Sequence, residues 1–319
     1  MKHILFIDSL DKLVIKKDSS LMLALTLKKM GQDVYLMFEE NLFFTNKKLE
    51  KIKLFEFSGR FKENSYYIEE FLLGDPKKLS LNKDDVLHMR IDPPFDTRYL
   101  RYLWILDLFE KRGVKVFNSP KGILNHNEKL TAYELDQSHP SFIGTDKNGL
   151  IEFIEELKSK GFKDFIFKPL DLYQGLGIEK IHFESFEQIE MAFQKKVEDL
   201  KGPVVVQPFD ENVFKGEIRS LFVNGRELGS ILKVPPKDNF LANIAQGASY
   251  SEYKLSSSTK EICEKLTKNL IKEGVYFVAF DIIGDFISEV NITCPGLMVE
   301  VSEACKKNLA EDMIKELWL

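Results

Sequence analysis

A stretch near the carboxyl end of the chain carries acidic and amide side chains at spacings that suit a metal site. Asp281 lies in an apolar run that breaks at Gly284-Asp285, and Glu289 and Asn291 lie in the next apolar run. Such runs separated by a glycine turn predict a β-hairpin. Glu289 and Asn291 share one face because side chains alternate along a strand. Carboxylate and amide oxygens are ligands that suit Mg²⁺.

The length of the hairpin turn decides whether Asp281 joins that face. A loop of two residues, Gly284-Asp285, would pair Asp281 with Ser288. Glu289 would then lie on the other face. A loop of three residues, Gly284 to Phe286, sets Asp281 opposite Glu289, and we expect this arrangement because it gathers the oxygen ligands. The spacing alone supports a metal site and a solvent-facing polar side about equally.

Two lysines at predicted element ends suit the binding of phosphate. Lys129 lies near a helix and Lys168 at the end of a strand, and a lysine acts as a compact positive charge. The sequence has no GxxxxGK[ST] motif, and Gly175-Leu176-Gly177 is only a fragment of a dinucleotide motif. Either lysine alone is more often a solvated surface charge. Together with the acidic hairpin, however, they predict a triphosphate held without a P-loop.

A protein nucleophile has little support in the sequence. The histidines form no HExxH motif and have no serine or cysteine context typical of a triad. Cys294 follows the acidic hairpin, where a packed small residue is a better interpretation than a reactive thiol. A reaction in which ATP activates a carboxylate and an amine displaces the phosphate needs no such nucleophile.

Composition limits the class of protein. The chain has 319 residues, 44% hydrophobic and 30% charged, and a net charge of −5. It is long enough for two or three domains, and its charge argues against a nucleic-acid carrier. Its 3 cysteines predict neither a disulfide framework nor a zinc site.

The apolar run at the start of the sequence is too short for the core of a signal peptide, and no apolar run is long enough for a membrane span. We therefore expect a cytoplasmic protein that acts on small molecules, without nucleic-acid or membrane partners.

The amino-terminal part of the chain predicts an α/β unit. A strand at 3–7, a helix at 21–30 and a strand at 34–38 follow in the order of a doubly wound parallel sheet. Asp18 and Ser19 precede that helix, and capping it is more probable than contacting a ligand. Arg90 and Asp92 follow a later strand at a proline turn that aims them out of its end.

The rest of the chain predicts further α/β units. Asn118-Ser119-Pro120 marks a boundary, and 122–135 predicts one helix. Asn224-Gly225 predicts a hairpin between two strands. Residues 46–84 predict connecting hairpins and turns, and 238–252, with little periodicity and several small residues, predicts a mobile loop.

The chain resembles the prokaryotic glutathione synthetase family of ATP-grasp ligases over essentially its whole length. The motifs that carry the resemblance are Lys16-Lys17-Asp18-Ser19-Ser20, Met89-Arg90-Ile91-Asp92-Pro93-Pro94-Phe95-Asp96, Asn118-Ser119-Pro120, Asn127-Glu128-Lys129-Leu130, Lys168-Pro169-Leu170-Asp171, Val206-Gln207-Pro208-Phe209, Arg219, Asn243, Asp281-Ile282-Ile283-Gly284-Asp285 and Glu289-Val290-Asn291-Ile292-Thr293. The motif at 89–96 is specific to this family.

The resemblance implies an α+β ATP-grasp architecture. It implies an amino-terminal doubly wound domain at 1–120, a central lid subdomain at 121–202 and a carboxyl-terminal subdomain with the metal hairpin at 203–319. It also implies a homo-oligomer. The reaction it implies joins γ-glutamylcysteine to glycine, with an acyl phosphate as intermediate and ADP and phosphate as by-products.

The resemblance also implies roles for individual residues. Those implied to contact ATP are Lys129, Lys168, Gly175, Gln207, Pro208 and Phe209, and those implied to hold Mg²⁺, or Mn²⁺ in its place, are Asp281, Glu289 and Asn291. Arg219 is implied to meet the charge of the acyl phosphate, with Lys233 and Asn243 as further catalytic candidates. The candidates for substrate binding are Asp18, Ser19, Arg90 and Asp92.

The sequence departs from the family mainly where substrates are handled. The departures are Leu172-Tyr173-Gln174-Gly175 in place of Gly-Met-Gly-Gly, Leu241-Ala242-Asn243 in place of Arg-Gly-Asn, Gly247-Ala248-Ser249 in place of Gly-Gly-Arg, Lys233 in place of arginine, and Cys294-Pro295-Gly296 in place of Ser-Pro-Thr. The loss of glycines predicts a stiffer lid loop. These changes leave open a ligase with a different donor or acceptor, and a non-catalytic nucleotide-binding relative. An ATP-using carboxylase is a weaker alternative because no biotin-accepting context is visible.

Overall fold

The computed structural model describes residues 1–47, 51–237 and 239–318. The predicted hairpins of 46–84 and the predicted loop of 238–252 therefore each include residues outside this description. The strands are β1 Lys2–Ile7, β2 Asp33–Phe38, β3 Ile52–Phe61, β4 Ile68–Leu79, β5 Val86–Arg90, β6 Lys115–Phe117, β7 Phe142–Gly144, β8 Asp164–Lys168, β9 Glu179–His182, β10 Val204–Pro208, β11 Glu217–Val223, β12 Arg226–Val234, β13 Ser249–Glu252, β14 Phe277–Ile283 and β15 Phe286–Asn291. The helices are α1 Ser19–Lys29, α2 Thr97–Lys111, α3 Pro120–Asn125, α4 Leu130–Tyr133, α5 Lys147–Ser159, α6 Phe186–Leu200, α7 Ser257–Ile271, α8 Met298–Cys305 and α9 Leu309–Trp318.

The first sheet has the strand order β4-β3-β2-β1-β5-β6. Strands β2, β1, β5 and β6 run parallel, whereas β3 and β4 form an antiparallel hairpin at one edge. This confirms the predicted parallel α/β sheet at the amino terminus. Its parallel strands end at one edge, where Asp8 and Arg90 lie. That edge is where ligands bind in open α/β sheets.

The second sheet is antiparallel and has the order β7-β10-β8-β9. Helices α5 and α6 cover one face of this sheet with buried side chains such as Ile154, Ile189 and Phe193. Strand β10 belongs to this sheet because it pairs with both β7 and β8. The prediction assigned that strand, as part of 203–319, to the third unit, and it is wrong on this point.

The third sheet is antiparallel and has the order β13-β12-β11-β14-β15. Helix α7 packs on one of its faces through Cys263 and Leu270. The other face shares a core with helices α1, α8 and α9, which also contact the first sheet. Leu25, Val301 and Met313 belong to that shared core. The first and third sheets are therefore joined by buried apolar packing.

Two local predictions differ from the structure. The predicted helix of 122–135 is broken into α3 and α4, since Asn127 Oδ1 accepts hydrogen bonds from the backbone N–H groups of Lys129 and Leu130 at 3.0 and 3.1 Å. An asparagine side chain bonded to nearby backbone in this way competes with helical hydrogen bonding. The predicted mobile loop of 238–252 ends in strand β13, which pairs with β12.

The buried side chain of Asn118 fixes both ends of the β14–β15 hairpin. Its Nδ2 donates to the carbonyl oxygens of Phe277 and Ile292 at 2.8 and 2.9 Å. Its Oδ1 accepts from the backbone N–H groups of Tyr276 and Phe277, both at 3.0 Å. One amide thus satisfies backbone groups at the start of β14 and just past the end of β15.

We expect Asn118→Ala to lower the free energy of unfolding by about 3 kcal/mol, because it leaves several buried backbone groups without partners. Urea denaturation followed by circular dichroism measures the loss. Asn125→Ala is the matched control, since that exposed side chain donates to Glu273, and it should change stability by less than about 0.5 kcal/mol. Equal effects of the two substitutions would contradict the role given to Asn118.

Candidate active site

The β14–β15 hairpin brings Asp281, Glu289 and Asn291 together by a route that the sequence analysis did not predict. Ile283 pairs with Phe286, so the loop has two residues, Gly284 and Asp285, and the predicted three-residue loop is wrong. A register shift after Asp281 nevertheless sets Asp281 opposite Glu289 and Ala279 opposite Asn291. A bulge at Ser288 supplies the extra residue that the loop lacks, and the Ser288 hydroxyl donates to the carbonyl oxygen of Asp281 at 3.1 Å. The predicted facing pair is therefore confirmed.

The Asp281 carboxylate is buried among cationic and amide donors. Arg219 on β11 binds it in a bidentate manner, with Nε to Oδ1 at 2.9 Å and Nη2 to Oδ2 at 2.6 Å. Lys233 Nζ donates to Oδ1 at 3.1 Å and Asn291 Nδ2 to Oδ2 at 3.1 Å. Burial alone would raise the pKa of Asp281, but Arg219 and Lys233 outweigh it and hold that pKa well below its ordinary value. Asp281 is thus ionised and held rigidly.

Lys129 and Glu289 form the second ion pair of the site. Lys129 Nζ lies 3.0 Å from Glu289 Oε1 and donates to the carbonyl oxygen of Leu172 at 2.9 Å. Burial opposes the charge of Lys129, but the nearby Glu289 outweighs it and raises the pKa of this lysine. This contact joins the start of α4 to the β15 strand and to the predicted lid loop.

Lys168 lies at the carboxyl end of β8 and is buried without a carboxylate partner among the contacts described. Its ammonium lies 5.2 Å from the centre of the Tyr133 ring. Burial, and then the charge of Lys129, lower the pKa of Lys168 to about 8. A poorly solvated ammonium held beside a second lysine is well prepared to receive an anion.

Two carboxylates in the site were missed by the sequence analysis. Glu217 pairs with Lys233 across β11 and β12, at 2.6 Å between Oε1 and Nζ. Burial raises the pKa of Glu217 to about 7, with Lys233 opposing the shift and Asp281 adding to it. Its position two residues before Arg219, on the same strand face, was the available signal.

Glu128 is the other missed residue, and it anchors the end of the hairpin. Its Oε1 accepts from the N–H groups of Ile292 and Thr293 at 2.7 and 2.9 Å, and from the Thr293 hydroxyl at 2.8 Å. Burial and the charge of Glu289 raise the pKa of Glu128. In the sequence, Glu128 is marked only by its place in the Asn127-Glu128-Lys129-Leu130 motif, in which Lys129 alone was given a role.

The predicted adenine-hinge residues lie where β10 ends. Gln207 Nε2 donates to the Ser141 hydroxyl at 2.6 Å, and the N–H of Phe209 donates to the carbonyl oxygen of Asp164 at 2.8 Å. Lys180 Nζ lies 3.8 Å from the centre of the Phe209 ring. Pro208 is the last residue of β10. Because β10 and β8 are antiparallel, Lys168 pairs with Val205, and Gln207 pairs with Ile166, two residues before Lys168 on β8.

The predicted lid loop and the 239–248 segment contact each other. Gly175 has φ +79°, and a Cβ there would lie 3.1 Å from Leu241 Cδ1. Gln174, where the family has glycine, also adopts a positive φ of 54°. Asn243 Nδ2 donates to the carbonyl oxygen of Gln174 at 3.0 Å, while its Oδ1 accepts from Ala245 N. The predicted catalytic residue Asn243 therefore links these two loops.

Two of the four predicted substrate residues, Ser19 and Arg90, contact the segment that follows the third sheet, whereas Asp18 and Asp92 bond within the first unit. Asp18 caps α1 by accepting from Leu21 N at 2.8 Å, and burial raises the pKa of Asp18 to about 6. The Ser19 hydroxyl accepts from Met298 N at 3.0 Å. Arg90 donates to the Ser20 hydroxyl and to the carbonyl oxygen of Pro295, both at 2.9 Å. The N–H of Asp92 donates to Asp8 Oδ2 at 2.8 Å. The predicted cap at Asp18 is confirmed.

The arrangement suits a divalent cation bound by oxygen. Asp281 and Glu289 face each other directly across two strands, and like charges so placed repel. Each carboxylate is neutralised by lysine or arginine, and Asn291 adds an amide beside them. In the part of the chain that the structure describes, no group of three His, Cys, Asp or Glu side chains forms a metal site. Any metal here would therefore depend on the mixed set of Asp281, Glu289 and Asn291.

Comparison with solved structures identifies the class of fold. The D-cycloserine synthetase structure covers 98% of this chain and 99% of its own, with a TM-score of 0.68 at 12% identity. A D-alanine–D-alanine ligase from Bacillus anthracis in complex with ATP covers 99% and 96%, with a TM-score of 0.59 at 14% identity. The chain thus has the fold of the ATP-grasp ligases.

Sequence comparison then identifies the family. Residues 1–123 match the model for the prokaryotic glutathione synthetase N-terminal domain, and residues 128–306 match that for its ATP-grasp domain. The glutathione synthetase of Parasynechococcus marenigrum is 33% identical over 246 residues, covering 77% of this chain and 78% of its own. That of Ralstonia nicotianae is 28% identical over 320 residues, covering 99% and 95%. The chain belongs to the prokaryotic glutathione synthetase family and is an ATP-dependent, ADP-forming ligase of the glutathione synthase type. This confirms the predicted resemblance, fold class and enzyme class.

We expect Asp281→Asn to lower the free energy of unfolding by about 3 kcal/mol, because Arg219 and Lys233 would remain buried without their carboxylate. Glu289→Gln, which keeps a hydrogen-bond acceptor for Lys129, is the matched comparison and should cost about 1 kcal/mol. Urea unfolding of both variants without nucleotide measures the difference. Equal stabilities would show that Asp281 does not organise the site.

Proposed function

We propose that this site phosphorylates the cysteinyl carboxylate of γ-glutamylcysteine and then joins it to the amine of glycine. The observation that carries the proposal is the convergence of Lys129, Lys168, Arg219 and Lys233 on the acidic face of the β14–β15 hairpin. Such a cluster suits transfer of a phosphoryl group, whose catalysis is mostly positioning and electrostatic stabilisation.

The nucleotide would lie between the second and third sheets. Gln207, Pro208 and Phe209 would contact adenine, since they lie at the end of β10, the strand that pairs with the strand of Lys168. Lys129 and Lys168 would bind the phosphates as compact positive charges. Gly175 would lie in the loop that covers them, where its φ of +79° suits glycine.

Asp281, Glu289 and Asn291 would hold Mg²⁺, or Mn²⁺ in its place. This donor set fits a hard cation because it offers carboxylate and amide oxygens on one strand face. Bound there, the cation would neutralise phosphate oxygens during transfer. Arg219 and Lys233 keep Asp281 ionised and oriented, which is the protonation state that a metal ligand needs.

Arg219 and Lys233 would also stabilise the negative charge of the acyl phosphate, and Asn243 would hold the 239–248 segment against the lid loop. The donor would lie towards the first sheet, where Asp18, Ser19, Arg90 and Asp92 gather. Arg90 would contribute positive charge for a donor carboxylate, as suits its fixed guanidinium.

The setting of this reaction is part of the proposal. We infer three units, 1–120, a central unit that begins at 121 and takes in β10, and the remainder of the chain. We also infer a homo-oligomer in a reducing cytoplasm that acts on small molecules; Cys263, Cys294 and Cys305 are free thiols, which supports the compartment. No helix among the described residues is long and apolar enough to cross a bilayer.

A second candidate is a ligase with another acceptor. The observation that favours it is the apolar packing of the 239–248 segment, where Leu241 lies against Gly175 of the lid loop and Phe240 contacts Phe209 just after β10. A carboxylate on the acceptor would find no arginine in this segment. A purely nucleotide-binding protein is less well supported, because binding alone does not require both lysines and all three oxygen ligands.

We expect ADP release with Mg-ATP, γ-glutamylcysteine and glycine, and its loss in Glu289→Gln with the fold kept. A coupled pyruvate kinase assay measures the rate, first with glycine and then with other amino acids and dipeptides. Turnover with another acceptor only would favour the second candidate. ATP binding without turnover for any pair would contradict both ligase proposals.

We also expect ATP affinity to fall as the pH rises through about 8. Lys168, whose pKa is lowered to about 8, is charged below that pH and neutral above it, so phosphate binding weakens on the alkaline side. Titration calorimetry from about pH 7 to about pH 9.5 should show a roughly tenfold loss. Lys168→Arg stays charged and should remove this dependence; an unchanged pH profile in that variant would contradict the assignment.

A further inference from the structure

Glu300 is a buried carboxylate that the reaction described above does not use. It lies in the first turn of α8, and its side chain is 1% exposed. Neither of its oxygens accepts a hydrogen bond within the described residues. Its ion partner, Lys17 Nζ, lies 3.6 Å from Oε1 and is itself 29% exposed. A buried carboxylate without hydrogen bonds is rare, because no new interaction compensates for the hydration that it loses.

The neighbouring Glu303 differs from Glu300 because its carboxylate is hydrogen-bonded. Glu303 lies on the same helix, and its Oε1 accepts hydrogen bonds from the Ser65 hydroxyl and the Tyr66 N–H. Those contacts lower the pKa of Glu303, whereas burial raises the pKa of Glu300. Glu303 therefore ties α8 to the β3–β4 connection, and Glu300 retains capacity for a positively charged donor.

Glu300 is ion-paired with the loop that precedes α1 and interacts electrostatically with Arg219. The backbone N–H of Met298, the first residue of α8, donates to the Ser19 hydroxyl. The start of α8 therefore contacts the loop of the first sheet that holds the predicted substrate residues. Lys17 and Arg219, on other elements, oppose the rise in the pKa of Glu300. Burial and then Tyr67 raise the pKa of Tyr250 on β13, and the charge of Glu300 adds to that rise. Arg219 also binds Asp281. Glu300 thus contacts the loop that carries the predicted substrate residues and feels the charge of the guanidinium proposed to face the acyl phosphate.

We propose that Glu300 binds the ammonium group of the acceptor amino acid and accepts one of its protons. This inference rests on the proposed ligase function. An ammonium ion offers three N–H donors and one positive charge, which matches a carboxylate with free acceptor sites. The donor's own amine is a poorer match, since in a γ-glutamyl dipeptide it lies at the far end of the molecule from the carboxylate that reacts.

The step balances in protons and electrons. One ammonium proton passes to a Glu300 oxygen, and the freed nitrogen lone pair forms the C–N bond at the acyl carbon. The C–O bond to phosphate breaks, and its electron pair leaves with the phosphate. The second nitrogen proton passes to the departing phosphate, which leaves as hydrogen phosphate. A carboxylate made more basic by burial is suited to the first transfer.

The competing explanation is that Glu300 only supports Lys17 across the junction of the two sheets. The two explanations differ in which substrate is affected. A structural ion pair would influence stability and every substrate alike, and Lys17→Gln would reproduce the effect of Glu300→Gln. A proton acceptor would influence only acceptors that arrive as ammonium ions.

Hydroxylamine separates these cases because it is a largely neutral nucleophile at pH 7.5. We expect Glu300→Gln to lower kcat/KM for glycine by about 100-fold and to leave KM for ATP unchanged. Formation of the hydroxamate from γ-glutamylcysteine, ATP and hydroxylamine should stay within about twofold of wild type, since that acceptor needs no base. Glu300→Asp, which restores the charge, should recover part of the glycine rate.

The matched controls are Lys17→Gln and Glu303→Gln, which alter the ion partner and the neighbouring carboxylate. Both should keep the glycine rate within about threefold of wild type. Equal losses with glycine and hydroxylamine in Glu300→Gln, or an equal glycine loss in Lys17→Gln, would overturn the proposal. Absence of both products in the wild-type protein would instead contradict the ligase function on which it rests.

A wild-type measurement decides the case if Glu300→Gln does not fold. Ethylammonium has the cation of an amino acid without its carboxylate, and it should compete with glycine in initial-rate assays. Propanol, similar in size and uncharged, should not. An absence of competition by ethylammonium up to about 100 times the glycine KM would also overturn the proposal.

Discussion

The buried carboxylate of Asp281 is the interaction on which the site depends. An isolated charge at such a position would cost several kcal/mol, so the sheet must supply cations in fixed positions. Strand β11 supplies Arg219 and strand β12 supplies Lys233, which are brought to Asp281 by the registers of β11 with β14 and with β12. Because Lys233 is itself paired with Glu217, the charges form one network across three strands. A shift of any of these strands by one residue would move a charged side chain to the other face of the sheet, into an apolar core.

The sequence predicted which residues meet in this network better than it predicted how they meet. Asp281, Glu289 and Asn291 follow from strand alternation and a glycine turn, and the predicted pairing of Asp281 with Glu289 is confirmed. The loop length was wrong, because a bulge is set by hydrogen bonds that depend on the neighbouring strand and leave no residue signal here. The residue that forms the bulge, Ser288, is an ordinary polar strand residue in the sequence.

Buried glutamates set the limit of what the sequence could reveal. Glu128, Glu217 and Glu300 resemble the many surface glutamates of a chain that is 30% charged. Their chemistry comes from burial and from partners far along the chain, such as Thr293 for Glu128. The raised pKa of Glu217 and the lowered pKa of Lys168 have the same origin in desolvation. The motifs indicated residues that the fold brings together, whereas only the tertiary structure reveals their electrostatics.

The same charge network explains why a lysine suits position 233. An arginine at this position would need two well-placed acceptors for its planar fork. Lys233 instead shares one ammonium between Glu217 at 2.6 Å and Asp281 at 3.1 Å. If a cation takes up the oxygens of Asp281, the ammonium keeps Glu217 as its partner and does not become an unpaired buried charge. If phosphate approaches, the same ammonium can turn towards it, since a point charge has no plane to realign. A lysine in place of arginine at this position is therefore compatible with the phosphate chemistry proposed for the site.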